Sequence, residues 1–257
     1  MENELSAREK YEKLLFRRDR LRKEAEQYLQ LYLHEFGELL TGLLRVKISC
    51  IEKKKIIAFC QAQINRGQRI DVGQMKASID RQMEIFRRQL QELSDSADAC
   101  RKLETVTAAE VAAVKSLYRA IAKKIHPDLC PFTAENEMLL SLWNDVVAAY
   151  KNNERQRLEE LSIQIERCLR DLGQQVEETP IENQEQKIQA LEAEIDRILN
   201  TDPYQYWLLL DDPLRVEAKK EDLRQETDDF KEYEKTLTAA IAALIEGGAQ
   251  FTQPWEN

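Results

Sequence analysis

Residues 107–128 read TAAEVAAVKSLYRAIAKKIHPD and form the most specific stretch of the sequence. Thr107 and Glu110 fit a capping box, which predicts that a helix begins here. Pro127 disfavours helical geometry in the residue before it, so the helix is predicted to end at the tripeptide His126-Pro127-Asp128. One face of this helix is apolar at a spacing of three and four residues, and its core positions are Val114, Leu117, Tyr118, Ile121 and Ile125.

The opposite face of the same helix is basic. Lys115, Arg119 and Lys123 follow one another at intervals of four residues, which brings them together on a helix, and Lys124 lies to one side. Cations on one helix face steer the encounter with an acidic partner and make that encounter sensitive to salt. This face is therefore a candidate docking surface.

A second helix is predicted beyond the short loop at residues 129–132, with Thr133 as its cap. Its apolar side is formed by Leu139, Trp143, Val146, Ala149 and Tyr150. We expect this helix to pack antiparallel against the first and to leave the tripeptide exposed at one end of the pair. Neither the tripeptide nor the basic face is needed for that packing, which favours a retained binding role over a purely structural one.

Together these residues resemble the J domain of DnaJ-type co-chaperones. The likeness covers that family's second helix, the tripeptide, and the third helix at Trp143, Val146 and Ala149-Tyr150, which is about 45 of 257 residues. The resemblance implies that the chain binds the ATP state of a DnaK-type chaperone and stimulates its ATP hydrolysis. The whole chain also resembles a bacterial group of uncharacterised J-domain proteins that embed this module between coiled helices.

In the J-domain family, the basic helix face meets an acidic surface of the chaperone, and the aspartate of the tripeptide engages a chaperone arginine. The partner contacts that this resemblance implies are Lys115, Arg119, Lys123, Lys124, His126, Pro127 and Asp128. No proton transfer by His126 is implied, because the role is one of contact. The family's first helix, with its Tyr-x-x-Leu-Gly signature, is absent upstream of Thr107, and we expect residues 90–103 to substitute for it. The Gly/Phe-rich stretch and the zinc-binding repeats of full-length DnaJ proteins are missing as well.

Composition predicts an all-α fold. The chain has 7 glycines and 6 prolines, where average usage would give about 18 and 13, so it has few residues that break helices. Charged residues make up 33% and hydrophobic residues 43%, which suits long helices with a narrow buried stripe. We expect long helical hairpins or coiled coils to flank the central pair, with domains at residues 1–103, 104–172 and 184–257 and a linker at residues 173–183.

The flanking segments carry heptad patterns. Upstream, one row consists of Tyr11, Arg18, Ala25, Tyr32 and Leu39, and Arg18 interrupts it. Gly37 and Gly42 are small enough to let another helix approach closely. A loop at residues 65–73 is followed by a return helix that weakens or ends at residues 94–98.

Downstream, Asp212 and Pro213 begin a helix, and Gly247-Gly248 ends it. The apolar segment at residues 204–210 packs as a corner or binds a partner. The heptad helices would also permit a homo-oligomer.

Several other classes of function are disfavoured by the sequence. The five cysteines include no CxxC pair, and His126 with Cys130 has no second pair of ligands, so we expect neither disulfides nor a metal or other cofactor. No Gly-rich phosphate loop or nucleophile elbow indicates an enzyme. There is no apolar signal region and no apolar run of the ~20 residues that a membrane span needs, which predicts a cytoplasmic protein without a membrane partner.

Two alternatives to a co-chaperone stay open. The first is a non-catalytic coiled-coil scaffold that carries a degenerate J domain. The second is nucleic-acid binding through the basic run at residues 17–23, but acidic residues interrupt that run and the net charge of the chain is −9. The identity of a client protein is not encoded in any recognisable motif.

Overall fold

A computed structural model describes residues 6–101, 107–174, 183–247 and 249–252. Within these ranges the fold is all-α, as predicted, and the one β-bridge, between Ile70 and Phe251, is isolated. In chain order the helices are α1 (Ala7–Asn65), α2 (Val72–Arg101), α3 (Ala108–Ile125), α4 (Pro131–Ala134), α5 (Glu137–Lys151), α6 (Arg155–Asp171), α7 (Gln184–Leu199), α8 (Tyr206–Leu210) and α9 (Pro213–Glu246).

The chain divides into two compact units that differ from the predicted domains. Residues 1–29 and 104–206 form unit 1, and residues 30–103 and 207–257 form unit 2. The expected boundaries followed the order of segments along the chain, but α1 has 59 residues, a length of about 90 Å. A helix that long takes part in more than one compact unit, so α1 does not belong to a single hairpin domain. The predicted C-terminal domain is also divided, because α7 belongs to unit 1 and α9 belongs to unit 2.

Three helices of unit 1 bury a common core. α3, α5 and α6 pack against one another, and the ten expected core residues lie in this cluster, Leu117 being only partly buried. Tyr118 of α3 stacks on Tyr150, and His126, beyond the end of α3, contacts Trp143. Tyr118 comes before His126 along the chain, whereas its partner Tyr150 comes after Trp143. The helices α3 and α5 therefore run antiparallel, as the sequence predicts.

The first turns of α1 complete this core. Phe16 packs against the α3, α5 and α6 cluster, while Tyr11 and Leu15 pack with Leu129 and Ile188. The expectation that residues 90–103 would substitute for the first helix of the J-domain family is wrong, because residues 90–101 fall in unit 2. The first turns of α1 pack against the α3, α5 and α6 cluster instead.

Of two predicted helix caps, one is present and the other is wrong. The capping box of Thr107 and Glu110 is present at the start of α3. Thr133, however, is not the cap of α5, because Pro131 begins the short helix α4 and Thr133 is already inside it. Asn136 caps α5, and its side chain accepts a hydrogen bond from the Leu139 N–H at 3.1 Å.

Unit 2 is built on the predicted hairpin of α1 and α2, and its two clusters are formed around Met75 with Met83 and around Phe36 with Leu223. The sequence predicts that this helix weakens or ends at residues 94–98; it does not end there, since α2 stays helical to Arg101. Ser96 Oγ donates to the Glu92 carbonyl at 2.7 Å, which accommodates the polar residue within the helix. α9 begins at the predicted cap, where Asp212 accepts from the Leu214 N–H at 2.9 Å.

The apolar segment at residues 204–210 is only partly covered. Leu209 and Leu210 pack into the Phe36 cluster of unit 2, whereas Trp207 and Leu208 are exposed. Gly247 follows α9, but Gly248 of the predicted stop and residues 175–182 of the predicted linker lie outside the described residues.

Among the described helices, none combines the length and the apolar character required to cross a membrane. The five cysteines are buried. Within the described ranges, no group of three or more His, Cys, Asp or Glu side chains is arranged to hold a metal ion.

Candidate partner-binding site

The tripeptide forms a tight turn at the end of α3. His126 leaves the helix with φ −63° and ψ 125°, and its carbonyl accepts from the N–H groups of Leu129 at 2.9 Å and Cys130 at 2.7 Å. The Asp128 N–H donates to His126 Nδ1 at 3.0 Å. These bonds fix the direction in which Pro127 and Asp128 leave the helix.

His126 belongs to the core. It is 3% exposed, and its ring meets the ring of Trp143 at 4.6 Å between centroids. The expectation that the tripeptide is not needed for packing is therefore wrong for His126. Pro127 is half-buried, and the side chain of Asp128 is 43% exposed, so Asp128 offers a carboxylate to the solvent from a fixed position.

Two adjacent residues of α1 hold the turn from the other side. Arg18 Nε and Nη2 donate to Asp19 Oδ1 at 3.0 Å and 2.7 Å, and Arg18 Nη1 donates to Asp128 Oδ2 at 3.3 Å. The Tyr118 hydroxyl donates to Asp19 Oδ2 at 2.7 Å. Arg18 and Asp19 are both buried. Through these hydrogen bonds, the start of α1 is joined to α3 as well as to the turn.

Burial controls the protonation of this network. It lowers the pKa of His126, although Asp19 and Asp128 work in the opposite direction. Because Nδ1 accepts a hydrogen bond, a neutral ring carries its proton on Nε2, which lies 3.7 Å from Asp19 Oδ2. Burial, followed by the charge of Asp19, raises the pKa of Tyr118, so its hydroxyl stays a donor.

The basic face of α3 is partly occupied within the chain. Lys124 forms an ion pair with Glu166 of α6 at 2.7 Å, and the Arg119 guanidinium lies 5.8 Å from the centroid of the Phe16 ring. Lys123 is exposed and Lys115 is half-buried, and neither forms an ion pair with a described residue. Of the four predicted docking cations, Lys115, Arg119 and Lys123 form no ion pair with a described residue, whereas Lys124 is paired with Glu166.

A cavity of about 660 Å³ opens beside the turn, within unit 1. Lys23 of α1 lines it and is 5% exposed; its Nζ donates to Asn153 Oδ1 at 2.6 Å and lies 4.1 Å from the centroid of the Tyr150 ring. No described carboxylate pairs with Lys23, and burial lowers its pKa to about 8. Pro127, Asp128 and Arg18 also line this cavity.

Sequence reasoning missed the roles of Arg18 and Asp19. The available signal was the position of Arg18 in an otherwise apolar heptad row, because a charge at such a position needs a buried counter-charge. The basic run at residues 17–23 is also used inside the chain: Arg18 and Lys23 are buried, and Arg22 pairs with Glu194.

The geometry suits recognition of a cation. An exposed carboxylate on a fixed turn, next to a basic helix face, can accept a charge-assisted hydrogen bond from a partner. Comparison of the chain with protein-family models, with curated proteins and with solved structures found no match.

Proposed function

We propose that this protein is a J-domain co-chaperone that binds a DnaK-type chaperone in its ATP state and stimulates its ATP hydrolysis. One observation carries the proposal: Asp128 presents a 43% exposed carboxylate from a turn that is fixed by His126. The chaperone contributes the ATPase, and this chain contributes contacts without a catalytic residue of its own. We place the interaction in the cytoplasm.

The carboxylate contributes to the affinity of the complex, and the basic face increases the rate of association. A hydrogen bond to a charged group contributes about 1.5–3 kcal/mol, which is enough to decide whether a transient complex forms. Lys123 and Lys115 would speed association with an acidic surface, and this effect would weaken as salt is added. The helices of unit 2 would choose the client or a further partner.

A binding titration against the ATP-bound chaperone tests this proposal. We expect Asp128→Asn to weaken binding by about tenfold or more, because it removes the charge and keeps the shape. Asp171→Asn is the matched control, since Asp171 is a 71% exposed carboxylate at the end of α6 in the same unit. Equal affinities for wild type and Asp128→Asn would contradict the proposed docking contact.

A second candidate function is an assembly scaffold with a degenerate J domain. The observation in its favour is that Asp128 and Lys124 already have partners within the chain, namely Arg18 and Glu166. In that case the chaperone would bind neither wild type nor any variant, and the turn would serve stability alone. The same titration separates the two candidates.

A further inference from the structure

We propose that Arg18 competes with the partner's cation for the Asp128 carboxylate, so that the start of α1 sets the affinity of the docking turn. This inference rests on the proposed function and concerns the regulation of the same site. The contact between α1 and the turn then acts as an internal substitute for the partner.

The guanidinium of Arg18 is held in place for this contact. Asp19 takes two of its N–H donors at 2.7 Å and 3.0 Å, and Asp19 is itself fixed by the Tyr118 hydroxyl at 2.7 Å. A third donor is thereby aimed at Asp128 Oδ2, 3.3 Å away. Little side-chain entropy is lost in the internal pair, because the Arg18 side chain is already ordered by Asp19.

The internal pair is accessible to a competitor. The Arg18 side chain is 10% exposed, but that of Asp128 is 43% exposed, so a cation from outside can reach the carboxylate. Such a cation would come close to the Arg18 guanidinium, and the two like charges would repel each other. A partner therefore has to overcome this repulsion from Arg18. Because Asp128 is partly exposed to solvent, the repulsion costs only a moderate amount of binding free energy.

A neighbouring carboxylate gives Arg18 somewhere to go. Glu194 of α7 has its Oε2 atom 4.0 Å from Arg18 Nη1. When a partner takes Asp128, a small rotation would bring this donor to Glu194 while Asp19 keeps the other two. The site can thus exchange one internal acceptor for another without leaving a buried charge unpaired.

The test compares affinities for the ATP-bound chaperone. We expect Arg18→Gln to bind about three- to tenfold more tightly than wild type. The double variant Arg18→Gln/Asp19→Asn should bind more tightly as well, and it avoids leaving Asp19 without a counter-charge if the single variant folds poorly. Arg17→Gln is the matched control, because Arg17 is an exposed arginine on the same helix and its loss changes the net charge equally.

The outcomes distinguish this inference from the proposed function. If wild type binds, Asp128→Asn does not, and the Arg18 variants gain nothing over Arg17→Gln, competition is overturned while the docking site stands. Weaker binding by folded Arg18 variants would likewise overturn it, because Arg18 would then position the turn. If wild type is silent and the Arg18 variants bind, competition is complete. If no protein of the series binds, both the function and the competition are wrong.

Discussion

The buried carboxylate of Asp19 links α1 to α3 through hydrogen bonds to its two oxygen atoms. Oδ1 accepts from Arg18 and Oδ2 accepts from the Tyr118 hydroxyl at 2.7 Å. Removing a donor from a buried carboxylate leaves an acceptor without a partner, which costs more than the bond itself contributes. The hydroxyl of Tyr118 is therefore expected to matter for stability although its ring already fills the core.

Tyr118→Phe tests that expectation. We expect the free energy of unfolding to fall by about 1–3 kcal/mol, measured by urea denaturation. Tyr233→Phe is the control, because Tyr233 is an exposed tyrosine of α9 and its change should stay within about 0.5 kcal/mol. Equal stability of Tyr118→Phe and wild type would show that the bond to Asp19 contributes nothing.

Lys23 should give the stability of the fold a specific pH dependence. Burial lowers its pKa to about 8 from 10.5, so above about pH 8 the unfolded chain binds more protons than the folded protein. The free energy of unfolding should therefore rise with pH through this window, by less than about 1.4 kcal/mol per pH unit for one proton.

The measurement for Lys23 is a difference between two proteins. Wild type and Lys23→Met are unfolded with urea at several pH values from about 7.5 to 9.5, so that other titrating groups cancel. We expect the free energy of unfolding of wild type, relative to that of Lys23→Met, to increase as the pH rises. A difference that stays constant would mean that Lys23 is not desolvated.

Single residues show where sequence reasoning succeeds and where it stops. Trp143 and Ile121 were predicted as core residues because helical periodicity is a local signal. The pairing of Arg18 with Asp128 joins positions 110 residues apart, and no local pattern encodes it. The burial of His126 was missed for the same reason, since it depends on contact with Trp143.

At the scale of elements, α1 and α2 meet through a glycine. A Cβ atom added at Gly37 would lie 2.6 Å from the Ala97 Cβ, whereas one added at Gly42 would meet nothing within 4 Å. The sequence indicated both glycines as points of close approach, and only Gly37 has that role. Periodicity places a residue on a face of a helix, but the crossing point depends on the partner helix.

Alanine substitutions at the two glycines should have opposite effects. Gly37→Ala should lower the free energy of unfolding by about 1–3 kcal/mol, because the new methyl group overlaps Ala97. Gly42→Ala should raise it by up to about 1 kcal/mol, because alanine has the higher helix propensity and the space is open. Thermal or urea unfolding measures both, and two changes of the same sign would contradict the described crossing.

At the scale of the whole molecule, helices were predicted well and their grouping was not. The scarcity of breakers and the periodic apolar faces indicated the all-α fold and the central antiparallel pair. The division into two units was missed because α1, with 59 residues, contributes to both. Contacts between distant segments also explain why α1, and not residues 90–103, completes the core around α3 and α5.

The docking turn belongs to this larger arrangement, since α1 supports it and, by our proposal, also competes for it. A co-chaperone must change the rate at which its partner hydrolyses ATP, and binding alone does not establish that. The functional comparison is therefore between wild type and variants of the turn. Asp128→Asn removes the charge and keeps the shape, whereas His126→Gln removes the ring that supports Asp128. Asp171→Asn is the control.

Single-turnover ATP hydrolysis by a DnaK-type chaperone, with and without this protein, is the deciding measurement. We expect wild type and Asp171→Asn to accelerate hydrolysis, and we expect His126→Gln and Asp128→Asn to lose most of that acceleration, because the carboxylate and its support are removed. Acceleration that survives in Asp128→Asn, or no acceleration by wild type and by the Arg18→Gln variant alike, would contradict the docking role of the His-Pro-Asp turn.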